Sequence, residues 1–222
     1  MCGRFTLSVD PAQLRQHFEG ISFPEQYAAR YNIAPSQPIL AVPNDGRDSA
    51  GFFLWGLIPS WARDASMGSR MINARGETLA EKPAYRGAYK YKRCLIPADG
   101  FYEWQARAGT RARSLYFIHL KDGAPFAFAG LWDEWQAPDG SSLRTCTIIT
   151  TAPNPLVAPI HDRMPVLLQP ADYDEWLDPA PRAPASLQRL IAPFAPEPME
   201  AYPVSALVNS PSNEGAECVQ PA

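Results

Sequence analysis

The stretch Arg93-Cys94-Leu95-Ile96-Pro97-Ala98-Asp99-Gly100-Phe101-Tyr102-Glu103-Trp104-Gln105 decides the architecture. It is two apolar runs, Arg93 to Ala98 and Gly100 to Gln105, joined by an Asp-Gly step. Runs of this length and composition, broken at Asp99-Gly100, predict a strand, a tight turn and a second strand. Side chains alternate along a strand, so Phe101, Glu103 and Gln105 take one face and Tyr102 and Trp104 the other. Glu103 is therefore a carboxylate set in an aromatic strand. Such a group is either a solvent-facing edge charge or a buried functional acid.

Toward the C-terminus, Ser114 to Leu120, Phe126 to Trp132 and Leu143 to Thr151 read as three strands at hairpin-like spacing. Their turns are Asp122-Gly123 and Pro138-Asp139-Gly140. Asn154 to Ile160 is a loop that delivers His161-Asp162-Arg163-Met164-Pro165, and a strand follows at Val166 to Leu168. Short helices are expected over Asp172 to Leu177 and Ala185 to Ile191. The tail is polar after Val208 and by composition suits a disordered end. Toward the N-terminus, Arg4 to Leu7 is a short strand, and Asp10 caps a helix that has Pro11 in its first turn and ends at Gly20. Tyr31 to Pro35 is an extended loop, because a residue before proline is pushed out of the α region. Pro38 to Val42 and Gly51 to Leu57 are strands around the turn Asn44-Asp45-Gly46. Met71 to Thr78 leads into a helix, and Pro83 opens another. The sum is an α+β fold: a single domain with a mainly antiparallel, barrel-like β core and short peripheral helices.

The chain has 222 residues, is 46% hydrophobic and 11% aromatic, and carries a net charge of −3. That is a globular composition with a poor global footprint for nucleic acid. The charge is unevenly spread. Arg70, Arg75, Lys82, Arg86, Lys90, Lys92 and Arg93 stand against Glu77 and Glu81 alone, interleaved with Tyr85, Tyr89 and Tyr91. Cations among aromatics suit a phosphate backbone with exposed bases, and equally a solvated helix face. Trp61, beyond Pro59 at the start of a polar loop, is a candidate for exposure, whereas Trp55 reads as core. The four cysteines, Cys2, Cys94, Cys146 and Cys218, form no CxxC pair and no zinc spacing. No metal or cofactor is expected. Without a secretory signal or an apolar run long enough to span a bilayer, the expected location is cytoplasmic.

Cys2 stands directly after the start methionine. Loss of Met1 would give it a free α-amine beside its thiol. Such a 1,2-aminothiol condenses with an aldehyde to an imine, and the thiol then closes a five-membered thiazolidine. Closure is intramolecular, with the advantage that proximity brings. The amine titrates at about 7.7–8.0 and the thiol at about 8.5, so both reactive forms exist near neutrality. Taken alone, position 2 is more simply a small residue at a frayed end.

Seven blocks change that balance. Met1-Cys2-Gly3-Arg4, Tyr31-Asn32-Ile33-Ala34-Pro35, Trp55-Gly56-Leu57-Ile58-Pro59, Asn73-Ala74-Arg75-Gly76-Glu77-Thr78, Arg93 through Trp104, Ala129-Gly130-Leu131-Trp132 and His161 through Val166 together resemble the SOS response-associated peptidase (SRAP) family. Glycine at 76 stands where serine or alanine is as common, a departure that touches nothing catalytic. Val204-Ser205 and Val208-Asn209 also fit, which implies an ordered tail. The resemblance implies one domain over residues 2–222 after Met1 is lost. It implies a sensor of abasic sites in single-stranded DNA that forms a thiazolidine crosslink, joining the DNA when damage arises. A lyase-like activity with self-processing, cysteine-type peptidase activity would accompany it.

On that expectation the catalytic set is Cys2, Asn73, Glu103 and His161. His161 would give a proton to the sugar ring oxygen, Glu103 would be the base for imine formation, and Asn73 would orient the amine or the sugar. His17 and His119 read as structural. Arg4 and Arg75 would clamp phosphates, joined on the DNA side by Asn32, Pro35, Trp61, Arg86, Trp104 and Arg163. The expected partner is single-stranded DNA with abasic sites; the chain is expected to be a monomer away from any membrane, and its protein partners are left open. Two other readings compete: a general cysteine peptidase using Cys2 and His161, and a non-catalytic single-strand binding module.

Overall fold

The computed structural model describes residues 2–107, 109 and 112–222. Met1, the residue expected to be removed, lies outside them. In chain order the elements are β1 (Phe5–Leu7), α1 (Pro11–His17), β2 (Arg30–Ile33), β3 (Pro38–Pro43), β4 (Gly51–Trp55), β5 (Asn73–Arg75), α2 (Arg86–Tyr91), β6 (Arg93–Ala98), β7 (Gly100–Ala106), β8 (Arg113–Leu120), β9 (Phe126–Gln136), β10 (Ser142–Thr151), β11 (Met164–Pro165), β12 (Leu167–Leu168), α3 (Tyr173–Leu177), α4 (Pro184–Leu187) and β13 (Met199–Pro203).

Five strands close a barrel. β4 pairs with β3, β3 with β6, β6 with β9, β9 with β10, and β10 returns to β4. Only the closing pair is parallel. A second sheet, ordered β13-β8-β7-β1-β2, is antiparallel throughout. The two share one core: Phe5 of the open sheet meets Trp55 at 5.2 Å and Phe128 at 5.7 Å of the barrel, edge to face. The α+β, barrel-cored single domain is thus the observed architecture.

The stretch from Arg93 to Gln105 is strand, turn, strand, yet its strands do not pair with each other. β6 belongs to the barrel and β7 to the open sheet. Asp99-Gly100 is the corner where the chain changes sheets. Asp99 holds it by accepting from the Thr6 hydroxyl, the Ser8 hydroxyl and the Val9 N–H. Gly100 is required there, because a Cβ would lie 2.2 Å from Phe117 Cζ. β6 is buried along its whole length, as a barrel strand covered on both faces must be. The hairpin-like spacing of β8 and β9 misleads in the same way: they lie in different sheets, and only β9 and β10 pair.

Other expectations need correction. Met71 to Thr78 starts no long helix. Its centre is captured as β5 alongside β10, and a single 3-10 turn follows at Gly76–Thr78. Tyr31 to Ile33 is strand, not loop, because β1 supplies hydrogen-bonding partners. The tail is ordered: Val208 and Cys218 are buried and Val204 bridges Pro221. His119, read as structural, lies 3.2 Å from Glu200 on β13, a strand the sequence did not announce. Arg93 does not join the basic surface. It is fully buried and donates to the carbonyls of Trp176, Lys90 and Asp178, tying α2 to α3. Those carbonyls offset the cost of burying its charge.

Gly76 has a local reason in this chain. A Cβ there would sit 2.3 Å from Ile191 Cγ2. Gly76→Ser is therefore expected to cost about 1–3 kcal/mol by overpacking against a stiff branched side chain. Urea unfolding checks this. Adding Ile191→Ala should recover part of the loss, whereas a Gly76→Ser protein as stable as the parent would contradict the clash.

Candidate active site at the N-terminal cysteine

β1 positions Cys2. It runs antiparallel to β7, with Phe5 opposite Phe101, and the Tyr102 N–H donates to the Arg4 carbonyl at 3.0 Å. Continuing that register by two residues sets Gly3 opposite Glu103, so Cys2 arrives beside the carboxylate. Alternation along β7 does the rest. Tyr102 and Trp104 turn toward the tail, where the Tyr102 hydroxyl donates to the Tyr31 carbonyl and Trp104 Nε1 to Asn209 Oδ1. Glu103 and Gln105 turn toward the loop before His161. Gln105 Nε2 donates to the Pro159 carbonyl at 2.8 Å. His161 Nε2 stands 3.8 Å from Glu103 Oε2.

Asn73 completes the group from β5. Its Nδ2 donates to the Cys2 carbonyl at 2.7 Å. Its Oδ1 is buried without a hydrogen-bond partner among the described residues. An unsatisfied buried acceptor is costly and marks a position kept for something other than stability.

The electrostatics follow from burial. Cys2 is 0% exposed, and burial, then the Glu103 charge, pushes its thiol well above the usual range. Glu103 is 1% exposed, and burial pushes its carboxyl up to about 7, only partly offset by hydrogen bonds such as that from the Trp104 N–H. Burial pulls the His161 imidazole down. The Arg163 N–H can only donate, and it reaches His161 Nδ1 at 3.0 Å. Nδ1 is thus the acceptor, and Nε2 carries the hydrogen toward Glu103. Asp162, also 3.0 Å from Nδ1, is a solvated neighbour. Glu103 and His161 thus stand side by side, at 3.8 Å just beyond direct hydrogen-bond reach of each other.

The residues expected to face DNA divide. Trp61, 59% exposed, Arg75 and Arg86 lie at the surface. Arg75 and Arg86 make no side-chain hydrogen bond among the described residues. Arg4 is engaged: its guanidinium donates to Asn32 Oδ1 at 2.7 Å and to the Val208 and Asn209 carbonyls. Arg163 is held bidentately by Glu77 at 2.6 and 2.9 Å and donates to the Thr150 carbonyl. That pair joins the chain after Asn73 to the chain after His161. Trp104 and Pro35 are half-buried. Asn32 requires correction, because it is 0% exposed. Its amide donates to Val208, Ser210 and Asn213 carbonyls, so it latches the tail and offers no surface to a ligand.

The sequence reading missed Tyr85, whose hydroxyl donates to the Asn73 carbonyl, and Gln105. It also missed Glu214, which accepts from Arg30 and from the Tyr31 and Asn32 N–H groups. Gln105 had a signal, since it shares the Glu103 face. Tyr85 and Glu214 act across long sequence separations that no local pattern reports. No helix among the described residues is long and apolar enough to cross a membrane.

Comparison with known proteins gives consistent relatives. A family model described as SOS response associated peptidase (SRAP) matches residues 1–211. The abasic site processing protein YoqW of Bacillus subtilis (strain 168) is 49% identical over 223 residues, covering 99% of each chain. The abasic site processing protein HMCES of Gallus gallus is 33% identical over 265 residues, covering 100% of this chain and 78% of that one. A crystal structure of a protein from Bacteroides thetaiotaomicron superposes with a TM-score of 0.86 at 28% identity, covering 100% of both chains.

Proposed function

The chain belongs to the SOS response-associated peptidase (SRAP) family, and on that premise we propose that it processes abasic sites in DNA, capturing them in single strands as a thiazolidine on Cys2. Relatives named for abasic site processing, at 49% and 33% identity, support the target. The observation that carries the chemistry is the convergence on Cys2. Asn73 holds its carbonyl, a carboxyl titrating near 7 lies beside it, and an imidazole stands 3.8 Å from that carboxyl.

The steps use these groups alone. The abasic sugar is mainly a closed hemiacetal. The His161–Glu103 pair gives a proton to its ring oxygen as the ring C–O bond breaks and takes the proton of the anomeric hydroxyl, which frees the aldehyde. The Cys2 α-amine, made available by loss of Met1, adds to the carbonyl carbon. The carbinolamine loses water and leaves an imine. The thiol then adds across the C=N bond: the S–C bond forms, and the thiol proton passes by way of Glu103 to nitrogen. One water leaves overall. Asn73 Oδ1, an acceptor awaiting a donor, suits the α-amine or a sugar hydroxyl. Met1 release is assigned to the same group by hydrolysis of the Met1–Cys2 bond. Arg75 and Arg86 hold phosphates, with Trp61 beside them. Arg4, Arg163, Trp104 and Pro35 shape the walls.

A general cysteine peptidase fits less well. Its nucleophile needs a depressed pKa and a base on the thiol. Here burial raises the thiol, whose hydrogen bond goes to the Arg4 carbonyl at 3.9 Å. Denaturing electrophoresis separates the readings. A single strand with one abasic site should give a slow, heat-stable band, and the same strand with tetrahydrofuran, which has no aldehyde, should give none. Equal bands, or no band with either strand, would overturn the proposal.

A further inference from the structure

Of the three tyrosines interleaved with the basic residues, Tyr89 is buried and Tyr85 is turned inward to Asn73. Tyr91 alone is prominent in solvent, 50% exposed at the end of α2. With Trp61 it lines a groove of about 200 Å³, to which Gly87, Ala88, Lys92 and Asp133 also contribute. This volume is below the roughly 300–1,000 Å³ typical of pockets for drug-sized ligands, and it suits one planar ring.

The groove is built, not frayed. The Trp61 turn is fixed by the Ala62 N–H donating to the Pro59 carbonyl and the Ser60 N–H to Asp133 Oδ2, both at 2.8 Å. Trp135 Nε1 donates to the Ala62 carbonyl at 2.8 Å. An indole held rigidly in water is an uncompensated cost, and it becomes favourable once a second π surface covers it. Charge decides what that surface belongs to. Lys92 is neutralised by Asp133 at 2.6 Å, so this part of the lining is polar without net charge and is no phosphate site. Next in the chain to the lining residues Pro83 and Gly87, Lys82 and Arg86 are exposed and make no ion pair among the described residues. An aromatic lining, a neutral polar pair and neighbouring exposed cations match a base inside and its phosphates outside.

Position fits as well. Along β10, Ile148 is opposite Asn73 and Thr145 is opposite Asp133. Asn73 and Asp133 lie on opposite sides of β10, three residues apart along it, so about 10 Å along the strand and two interstrand spacings across separate them by roughly 14 Å, a span of a few nucleotides at about 3.4 Å each.

We propose that this groove is a nucleobase subsite, taking one unstacked base of the bound strand a few nucleotides from the sugar held at Cys2. It rests on the strand-binding function proposed above, and its test is separable from it. Gly87 offers a clean block, because a Cβ there meets nothing within 4 Å and leucine is a better helix former than glycine. Gly87→Leu fills the groove without removing a contact, and Tyr91→Ala removes one wall. The probe is a labelled oligothymidylate without any abasic site, and a series in which one nucleotide at a time is replaced by a tetrahydrofuran spacer. Binding is read by anisotropy. The wild-type protein should lose roughly tenfold in affinity when one particular base is removed. Both variants should bind the intact strand about as weakly as the wild type binds that gapped strand, and should be indifferent to the gap. Variants that bind every strand like the wild type overturn the subsite, as does a wild-type protein indifferent to every spacer. Failure of the crosslinking proposal looks different: strand binding would persist, with no adduct surviving denaturation from an abasic strand.

Discussion

Cys2→Ala protein mixed with single-stranded DNA carrying one abasic site is expected to yield no heat-stable adduct. The substitution removes only the sulfur. Prepared without Met1, the variant still presents an α-amine at position 2, so an imine to the freed aldehyde can form. That imine hydrolyses, because nothing closes the ring. The thiol's advantage is intramolecular, of the kind that reaches effective molarities of about 10⁵–10⁸ M. Loss of the stable product should therefore be complete. Borohydride added during the reaction should recover the imine as a stable amine, which separates the work of the amine from that of the thiol. A heat-stable adduct from Cys2→Ala without reductant would place the attachment on another residue.

The second large effect is on stability and its pH dependence. Glu103 is buried, and its folded pKa is raised from 4.5 to about 7. Below about pH 4.5 the carboxyl is protonated in both folded and unfolded chains, so no penalty applies. As pH rises, the unfolded chain ionises first. The folded protein loses stability relative to it until the folded group also ionises near 7, and the penalty is then constant. The difference corresponds to on the order of 2–3 kcal/mol. Glu103→Gln is neutral at every pH and escapes it. Its Tm at pH 8 should exceed that of the wild type by about 5–10 °C, and the two should converge near pH 4. The same variant should fail to release Met1 or to form the crosslink. Stability gained where activity is lost is the expected trade at a functional acid. A Glu103→Gln protein no more stable than the wild type at pH 8 would mean that the carboxylate is comfortably solvated or paired.

Much of this site was legible because its key residues lie on short, regular pieces. The alternation along Phe101 to Gln105 placed Glu103 and Gln105 on one face, and the structure puts both against the loop before His161. Whether Glu103 was an edge charge or a buried acid was not legible from that alternation. Tyr102 and Trp104, its chain neighbours, point away to the tail. What local pattern does not carry is pairing partners. Asp99-Gly100 and Asp122-Gly123 look like hairpin turns, but each hands the chain from one sheet to the other. Only the burial of both faces of β6 distinguishes a barrel strand from a hairpin arm. Long-range capture also explains Asn73, which became strand because β10 offered hydrogen bonds, and Asn32, whose amide nitrogen is used on the tail while its oxygen accepts from Arg4. Composition likewise overcounted the basic surface. Arg93 is buried and Lys92 paired, which leaves Arg70, Arg75, Lys82, Arg86 and Lys90 as the exposed cations of this stretch.

The most direct measurement is the intact mass of the purified protein, before and after mixing with a single strand that carries one abasic site. The predicted result is a chain lacking Met1 that gains the mass of the DNA minus one water, stable to denaturation. A chain that retains Met1, or one that shows no mass gain after denaturation, would contradict Cys2 as the residue that captures the lesion.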